Sequence, residues 1–323
     1  MTEGPREFTH IHCSSRFDRS AVSLEEDLDA WMGRSDLITL TEVNKDQRAS
    51  RMKEKRWSYF NAKKDHGQDE CGIAWKDSEF IRKHASVRRL NNDRFYRLNG
   101  KPALPIYSAS VVLRHAPSGH RLLVSTTHFP EFMEGRRYRT IDDHWRARKA
   151  AYLSALRTWG NHVNALDARH KCDAVLATAD WNIDLKHEWF ADSILSSFGA
   201  RKYNLAWTSG DNGFPTSGGS MSNPVGTNAP TGSQASGTHD HILDGSLVNG
   251  LSVLLGPRLL DRVRSSDHRP MIEGFRLVGK AAHPHMEHGA HPGGDQWRGP
   301  EWWGFGDYMD DEIYAVPRAY EDV

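Results

Sequence analysis

The feature that most constrains this chain is a series of short apolar runs that stop at a carboxylate, an amide or an imidazole. Asp36–Leu40 delivers Thr41-Glu42-Val43, Arg121–Thr127 delivers His128-Phe129-Pro130, and Val175–Ala179 stops at Asp180-Trp181-Asn182. Phe8–Cys13, Cys71–Trp75 and Ala109–Leu113 are of similar length, and Thr238–Leu243, which carries His239, Asp240 and His241, and Pro270–Leu277, which follows Asp267-His268, complete the alternation. Runs this short, rich in Val, Ile, Leu and Thr and bounded by turn residues, predict strands. A sheet can aim the polar groups at its strand ends into one cleft.

Two segments carry helical spacing. Ser23-Leu24-Glu25-Glu26 has the spacing of a capping box, with Leu24, Leu28 and Trp31 on one face and Gly33 as a stop. Ile141, Trp145, Tyr152, Leu156, Trp159, Val163 and Leu166 predict a long helix after His128. Short strands with two helices predict an α+β chain, with sheets packed face to face and helices outside.

The formal net charge of +0 leaves no global field to hold a polyanion, so nucleic-acid binding requires a local basic face. Cys13, Cys71 and Cys172 are odd in number and far apart, which suggests neither a disulfide framework nor a cysteine zinc site. The first ten residues lack an apolar signal core, and no run is long and apolar enough to span a bilayer. The expectations are a cytoplasmic location and, by default, a monomer. Residues 209–237 are rich in Gly, Ser, Thr, Asn and Pro and predict a flexible loop. From Lys280 onward His, Pro, Gly and Trp dominate before an acidic stretch. The predicted organisation is a catalytic domain over 1–279 and a tail over 280–323.

Taken singly, the polar strand-end residues have ordinary readings. Glu42 reads as a solvated charge, Asp180-Trp181-Asn182 as a turn, Ser266-Asp267-His268 as a cap or surface loop. Their order changes this. The segments DLITLTEV (36–43), CGIAW (71–75), LVSTTHFP (123–130), VLATADWNID (175–184), THDHILDG (238–245) and SSDHRPMI (265–272) resemble, in sequence order, motifs of the endonuclease/exonuclease/phosphatase superfamily, which includes pancreatic-type deoxyribonucleases. Ala179 stands where the family motif carries Gly.

The resemblance implies a four-layer α/β/β/α sandwich of two packed mixed β-sheets flanked by helices. It implies that Glu42 binds a divalent metal with Asp267, and that His268 is the general base oriented by Asp240. Asp180 would orient water or stabilise the leaving oxygen, Asn182 would donate to the phosphate, and His128 would contact it, with Glu70 a candidate partner. The family's first-strand Asn is absent here. His12 is the best match and His10 the second, either as ligands or as residues that merely pack. Imidazole suits transition ions better than Mg²⁺, so the cofactor expectation is Mg²⁺ or Mn²⁺ with a leaning to Mn²⁺.

The activity implied is metal-dependent phosphodiester hydrolysis, most simply by a nuclease acting on DNA or RNA. The alternatives are a phosphatase on a small phosphoester or lipid headgroup, and a catalytically weakened nucleic-acid-binding protein. Lys45, Arg48, Arg51, Lys53, Lys55 and Arg56 follow Glu42, Arg136, Arg137 and Arg139 follow His128, and Arg262, Arg264 and Arg269 flank Asp267. They fit a polyanion partner or a set of solvated surface charges.

Overall fold

The computed structural model describes residues 6–14, 21–43, 52–63, 69–91, 105–129, 142–181, 188–199, 203–205, 244–260 and 270–280. The chain divides into units Met1–Ala281 and Ala282–Val323; the second lies outside the described residues. In chain order the first unit contains β1 (Glu7–Ser14), α1 (Ala21–Met32), β2 (Leu37–Thr41), β3 (Trp57–Lys63), β4 (Asp69–Lys76), β5 (Phe80–Arg89), β6 (Tyr107–His115) and β7 (Arg121–His128). It continues with α2 (Asp142–His170), β8 (Ala174–Asp180), α3 (Glu188–Phe198), β9 (Asn204–Leu205), β10 (Asp244–Asn249), β11 (Leu251–Leu259) and β12 (Met271–Leu277).

The strands form two six-stranded sheets, ordered β11-β12-β1-β2-β4-β3 and β5-β6-β7-β8-β10-β9. Each is mixed, with one parallel pair: β1 beside β2, and β7 beside β8. A parallel pair needs a long crossover. Here α1 follows β1 and α2 follows β7, so each parallel pair encloses a helix in sequence.

Period-two alternation sorts the side chains into layers. Phe8, Leu37, Ile73, Val111, Val124, Leu176 and Phe275 meet between the sheets. Ile11, Ile38 and Leu40 face the other way, against Leu28 and Trp31 of α1. On the far side Leu123, Val175 and Leu247 meet Tyr152, Leu156, Trp159 and Val163 of α2 and Ile194 and Phe198 of α3. Three apolar layers with helices outermost make the predicted four-layer α/β/β/α sandwich. Gly160 belongs to this packing, because a Cβ there would collide with the Ser197 carbonyl at the end of α3.

Several details differ from the sequence reading. The first helix begins at Ala21, so Ser23 lies in its first turn and is not the cap. A third helix, α3, joins the two predicted. β3, β5, β9 and β11 were not anticipated. The strand predicted at 238–243 lies outside the described residues, and the described strand begins at Asp244. Trp57 is buried against α1's layer, and Phe60 packs towards the inter-sheet core.

Candidate active site

The inner faces of both sheets change character along their length. At one end they carry Phe8, Leu37, Leu122, Ala174 and Leu277, all buried. Towards the other end the same faces carry His10, His12, Thr39, Thr41, Thr178, Asp180, Asp244, Ser246 and Glu273, also buried. Burying polar groups without partners is costly, so such a layer persists only where its groups satisfy one another or a ligand.

At the rim of the polar end three side chains converge. The Nε2 of His128, the last residue of β7, lies 3.7 Å from Asp180 Oδ2 at the end of β8 and 3.9 Å from Glu42 Oε1 just past β2. Asp180 is buried, whereas Glu42 is 24% and His128 15% exposed, which opens the cluster to solvent on one side. Glu42 adopts φ 53°, the left-handed region. That backbone costs a non-glycine residue about 1–2 kcal/mol. Arg56 and Lys171 share this region of backbone, at φ 60° and 48°.

The residues that follow explain why these ends are held. Phe129 and Trp181 come directly after His128 and Asp180, and their rings stack with centroids 5.7 Å apart and planes 9° apart. Tyr152 of α2 donates its hydroxyl to the Trp181 carbonyl at 3.0 Å, and Trp181 Nε1 donates to the Gly245 carbonyl at 3.3 Å. The Phe129 amide donates to the Asp180 carbonyl at 2.9 Å. Each site residue therefore points inward while its successor is anchored in the outer aromatic layer. Burial, followed by the field of Asp180, pushes the Tyr152 hydroxyl well above the ordinary phenol range, so it stays a donor.

A second cluster lies deeper. Glu273, His10, Thr39, His12 and Asp244 form a chain across the two sheets. His10 Nδ1 meets Glu273 Oε2 at 3.0 Å, His10 Nε2 meets Thr39 Oγ1 at 2.9 Å, and His12 Nδ1 meets the same hydroxyl at 2.8 Å. His12 Nε2 lies 3.2 Å from Asp244 Oδ1. Thr178 donates to Thr39 at 3.0 Å and Ser246 to Glu273 at 2.6 Å. Burial outweighs the pull of Glu273 and pushes the His10 imidazole below its ordinary range. Its contact with Glu273 is then a hydrogen bond from a neutral ring.

With His10 donating Nδ1–H, Thr39 can give its single proton to His10 Nε2 and accept from His12 and Thr178. This arrangement leaves the other ring nitrogen of His12 facing an Asp244 oxygen. His12 Nε2 makes no hydrogen bond among the described residues.

The clusters adjoin. Asp180 and Asp244 are register partners across β8 and β10, so two buried carboxylates are direct neighbours. Like charges placed so repel.

No family model matches the sequence, and no curated protein matches it. Solved structures do. The chain is similar to a Bacteroides vulgatus endonuclease/exonuclease/phosphatase at 10% identity and TM-score 0.60, over 84% of this chain and 99% of that one. It is similar to the human Nocturnin catalytic domain, determined with a bound sulfate anion, at 12% identity and TM-score 0.59, over 85% and 96%. It is also similar to ANGEL2, a 2′,3′-cyclic phosphatase solved with adenosine-2′,3′-vanadate, at 13% identity and TM-score 0.54, over 85% and 96%. The fold is that of the endonuclease/exonuclease/phosphatase superfamily.

On that fold, Glu42, His128 and Asp180 of the expected site come together, and His12 lies in the deeper chain one strand pair away. Glu70 is on β4 beside Cys71, which pairs with Thr41, and its side chain lies outside the described residues. Asn182, Asp240, Asp267 and His268 also lie outside them. So do most of the basic residues flagged near the cleft; Lys53, Lys55 and Arg56 are described and exposed. Asp244, Thr39 and Glu273 were missed. Period-two alternation gave the signal for Glu273, which shares a strand face with the core residues Phe275 and Leu277.

No group of three or more metal-binding side chains is assembled among the described residues. The donor chemistry nevertheless fits a divalent cation. Glu42, Asp180 and Asp244 crowd negative charge at one sheet end, and oxygen donors suit a hard ion. His12 Nε2 adds an imidazole donor beside Asp244, which suits a transition ion better.

Proposed function

We propose that this chain is a divalent-metal-dependent phosphodiester hydrolase acting on nucleic acid, DNA or RNA. The observation that carries the reading is the convergence of Glu42, His128 and Asp180 at one end of this fold, with Glu42 held in a strained backbone.

Hydrolysis proceeds by attack of water on phosphorus opposite the leaving oxygen. The new P–O bond forms as the P–O bond to the leaving group breaks, and negative charge builds on the non-bridging oxygens. His268 takes the proton of the attacking water, and Asn182 donates to the phosphate. Asp180, buried at the end of β8, positions the water or the leaving oxygen. His128 reaches the phosphate from the rim. Glu42, with Asp267 and His12 as further candidates, would hold Mg²⁺ or Mn²⁺, which supplies charge neutralisation on the phosphate. Asp244 is a second candidate, beside Asp240, for the carboxylate that orients a site imidazole, because it is the register partner of Asp180.

A phosphatase acting on a small phosphoester is the second reading. The observation that favours it is the likeness to ANGEL2, a 2′,3′-cyclic phosphatase solved in complex with adenosine-2′,3′-vanadate. One panel separates the two. Purified protein is incubated with plasmid, single-stranded DNA, RNA and small phosphoesters, with and without EDTA, beside His268→Ala. Nicking that EDTA and His268→Ala both abolish supports the nuclease. Turnover of small esters alone overturns it, and oligonucleotide binding without turnover of any substrate points to a catalytically weakened binding protein.

A further inference from the structure

A cationic stripe runs from the site end of the second sheet along the seam between β5 and α2. Arg88 starts it. Arg88 pairs with Ser108, and Ser108 with Thr127, the residue before His128, so Arg88 stands two strands from the catalytic rim. Strands lie about 4.8 Å apart, which puts its backbone roughly 10 Å from that of β7. Next along the seam Ser86 Oγ meets His162 Nε2 at 3.3 Å. Beyond it the rings of His84 and His170 stack with centroids 4.5 Å apart. Arg169 and Arg121 close the far end, Arg121 donating to the His170 carbonyl at 2.8 Å.

Cations predominate along this seam, with Asp167 and Asp173 at its Arg121 end. The imidazole of His162 is pushed below its ordinary range by burial first and then by Arg88 and His84. That of His170 moves the same way through partial burial, His84, Arg169 and Arg121. Asp167 pairs with Lys280, and Asp173 accepts from the Arg121 amide at 2.7 Å. Arg88, Arg121 and Arg169 are exposed, and the histidines are half-buried between them. From His162 to His170 the helix rises about 12 Å, and from Arg88 to His84 the strand spans about 13 Å. With one phosphate per about 3.4 Å of a stacked strand, that length matches roughly four phosphates.

We propose that this stripe binds the phosphate backbone of a single nucleic-acid strand as it leaves the active site, so that the substrate is a polymer and not a small ester. The inference deepens the hydrolase reading above and rests on it for the position of the scissile phosphate. A nucleic-acid strand fits better than a membrane surface because the charges form a line one strand wide, lie partly within a seam, and begin at the catalytic end.

The test is binding of a fluorescent 20-nucleotide single strand by anisotropy in EDTA, which removes catalysis, across a salt series. Arg88→Glu, Arg169→Glu and Arg121→Glu are compared with Arg34→Glu, an equal charge change on an exposed residue after α1. Circular dichroism melts verify folding. The expected result is about tenfold weaker binding for Arg88→Glu and Arg169→Glu, with the slope of log K against log salt reduced by about 0.7 per lost phosphate contact. Arg34→Glu keeps the wild-type slope. Equal slopes in all variants overturn the proposal, as does a wild type that binds phosphatidylserine vesicles and no oligonucleotide. If the stripe variants lose binding while the wild type cleaves nothing in Mn²⁺, the stripe stands and the hydrolase reading fails.

Discussion

Thr39 is the residue on which the deep polar chain converges, and Thr39→Val is the sharpest probe of it. The substitution keeps volume and branching but removes the hydroxyl that serves His10 Nε2, His12 Nδ1 and Thr178 Oγ1 at 2.9, 2.8 and 3.0 Å. Thr39, His10 and His12 are fully buried, so water cannot replace it. Each buried polar group left without a partner costs about 1–3 kcal/mol, and with partial re-pairing the loss should be about 3–5 kcal/mol. Thr39→Ser keeps the hydroxyl and deletes one methyl, for a loss of about 1 kcal/mol. Urea denaturation at neutral pH reads both through the midpoint at constant slope. The order Thr39→Val far below Thr39→Ser is the expected result. A Thr39→Val midpoint equal to or above that of Thr39→Ser refutes the claim that hydrogen bonds hold this layer together.

Relief of the Glu42 backbone strain should separate stability from function: Glu42→Gly is expected to melt no lower than wild type, gaining up to about 1 kcal/mol, while losing turnover. A clear drop in melting temperature contradicts the strain. Trp181→Phe keeps the stack on Phe129 but loses the bond to Gly245, costing about 1 kcal/mol by urea titration, and lowers kcat more than it raises KM as Asp180 loosens. Burial first, and His120 after it, push His115 below its ordinary 6.5, against the raising fields of Glu79 and Asp36. A folded-state pKa below the unfolded value stabilises above about pH 6.5 and is lost as pH falls. The urea midpoint should therefore drop between pH 6.5 and 5.5 and drop less in His115→Leu; equal drops sink that assignment.

Much of the fold was legible because the strands that build its centre are buried on both faces. β2, β7 and β8 are buried along nearly their whole length, so their sequences read as apolar runs with sharp ends. β5 was not legible for the opposite reason. It is an edge strand whose ten residues include Arg82, Lys83, His84, Arg88 and Arg89. Charge on an edge blocks pairing with other chains and also hides the strand's periodicity. At the site, the residues at the ends of clean strands, Glu42, His128 and Asp180, were readable for that reason. Asp244 was obscured because the strand was placed over 238–243, in register with Asp240. Thr39 was invisible as a site residue because its role depends on a contact between the sheets, across 139 positions of sequence to Thr178, whereas strand alternation marked Glu273 as a charge on a core face but not its partner Ser246, 27 positions away.

The most direct measurement is cleavage of an end-labelled oligonucleotide by protein stripped with EDTA and then supplied with Mn²⁺, in wild type, Glu42→Gln and Asp180→Asn. Restored cleavage in wild type, with at least a hundredfold loss in both variants at unchanged melting temperature, is the predicted result. Cleavage that survives EDTA, or that persists undiminished in both variants, contradicts a metal-assisted phosphodiesterase at this sheet end.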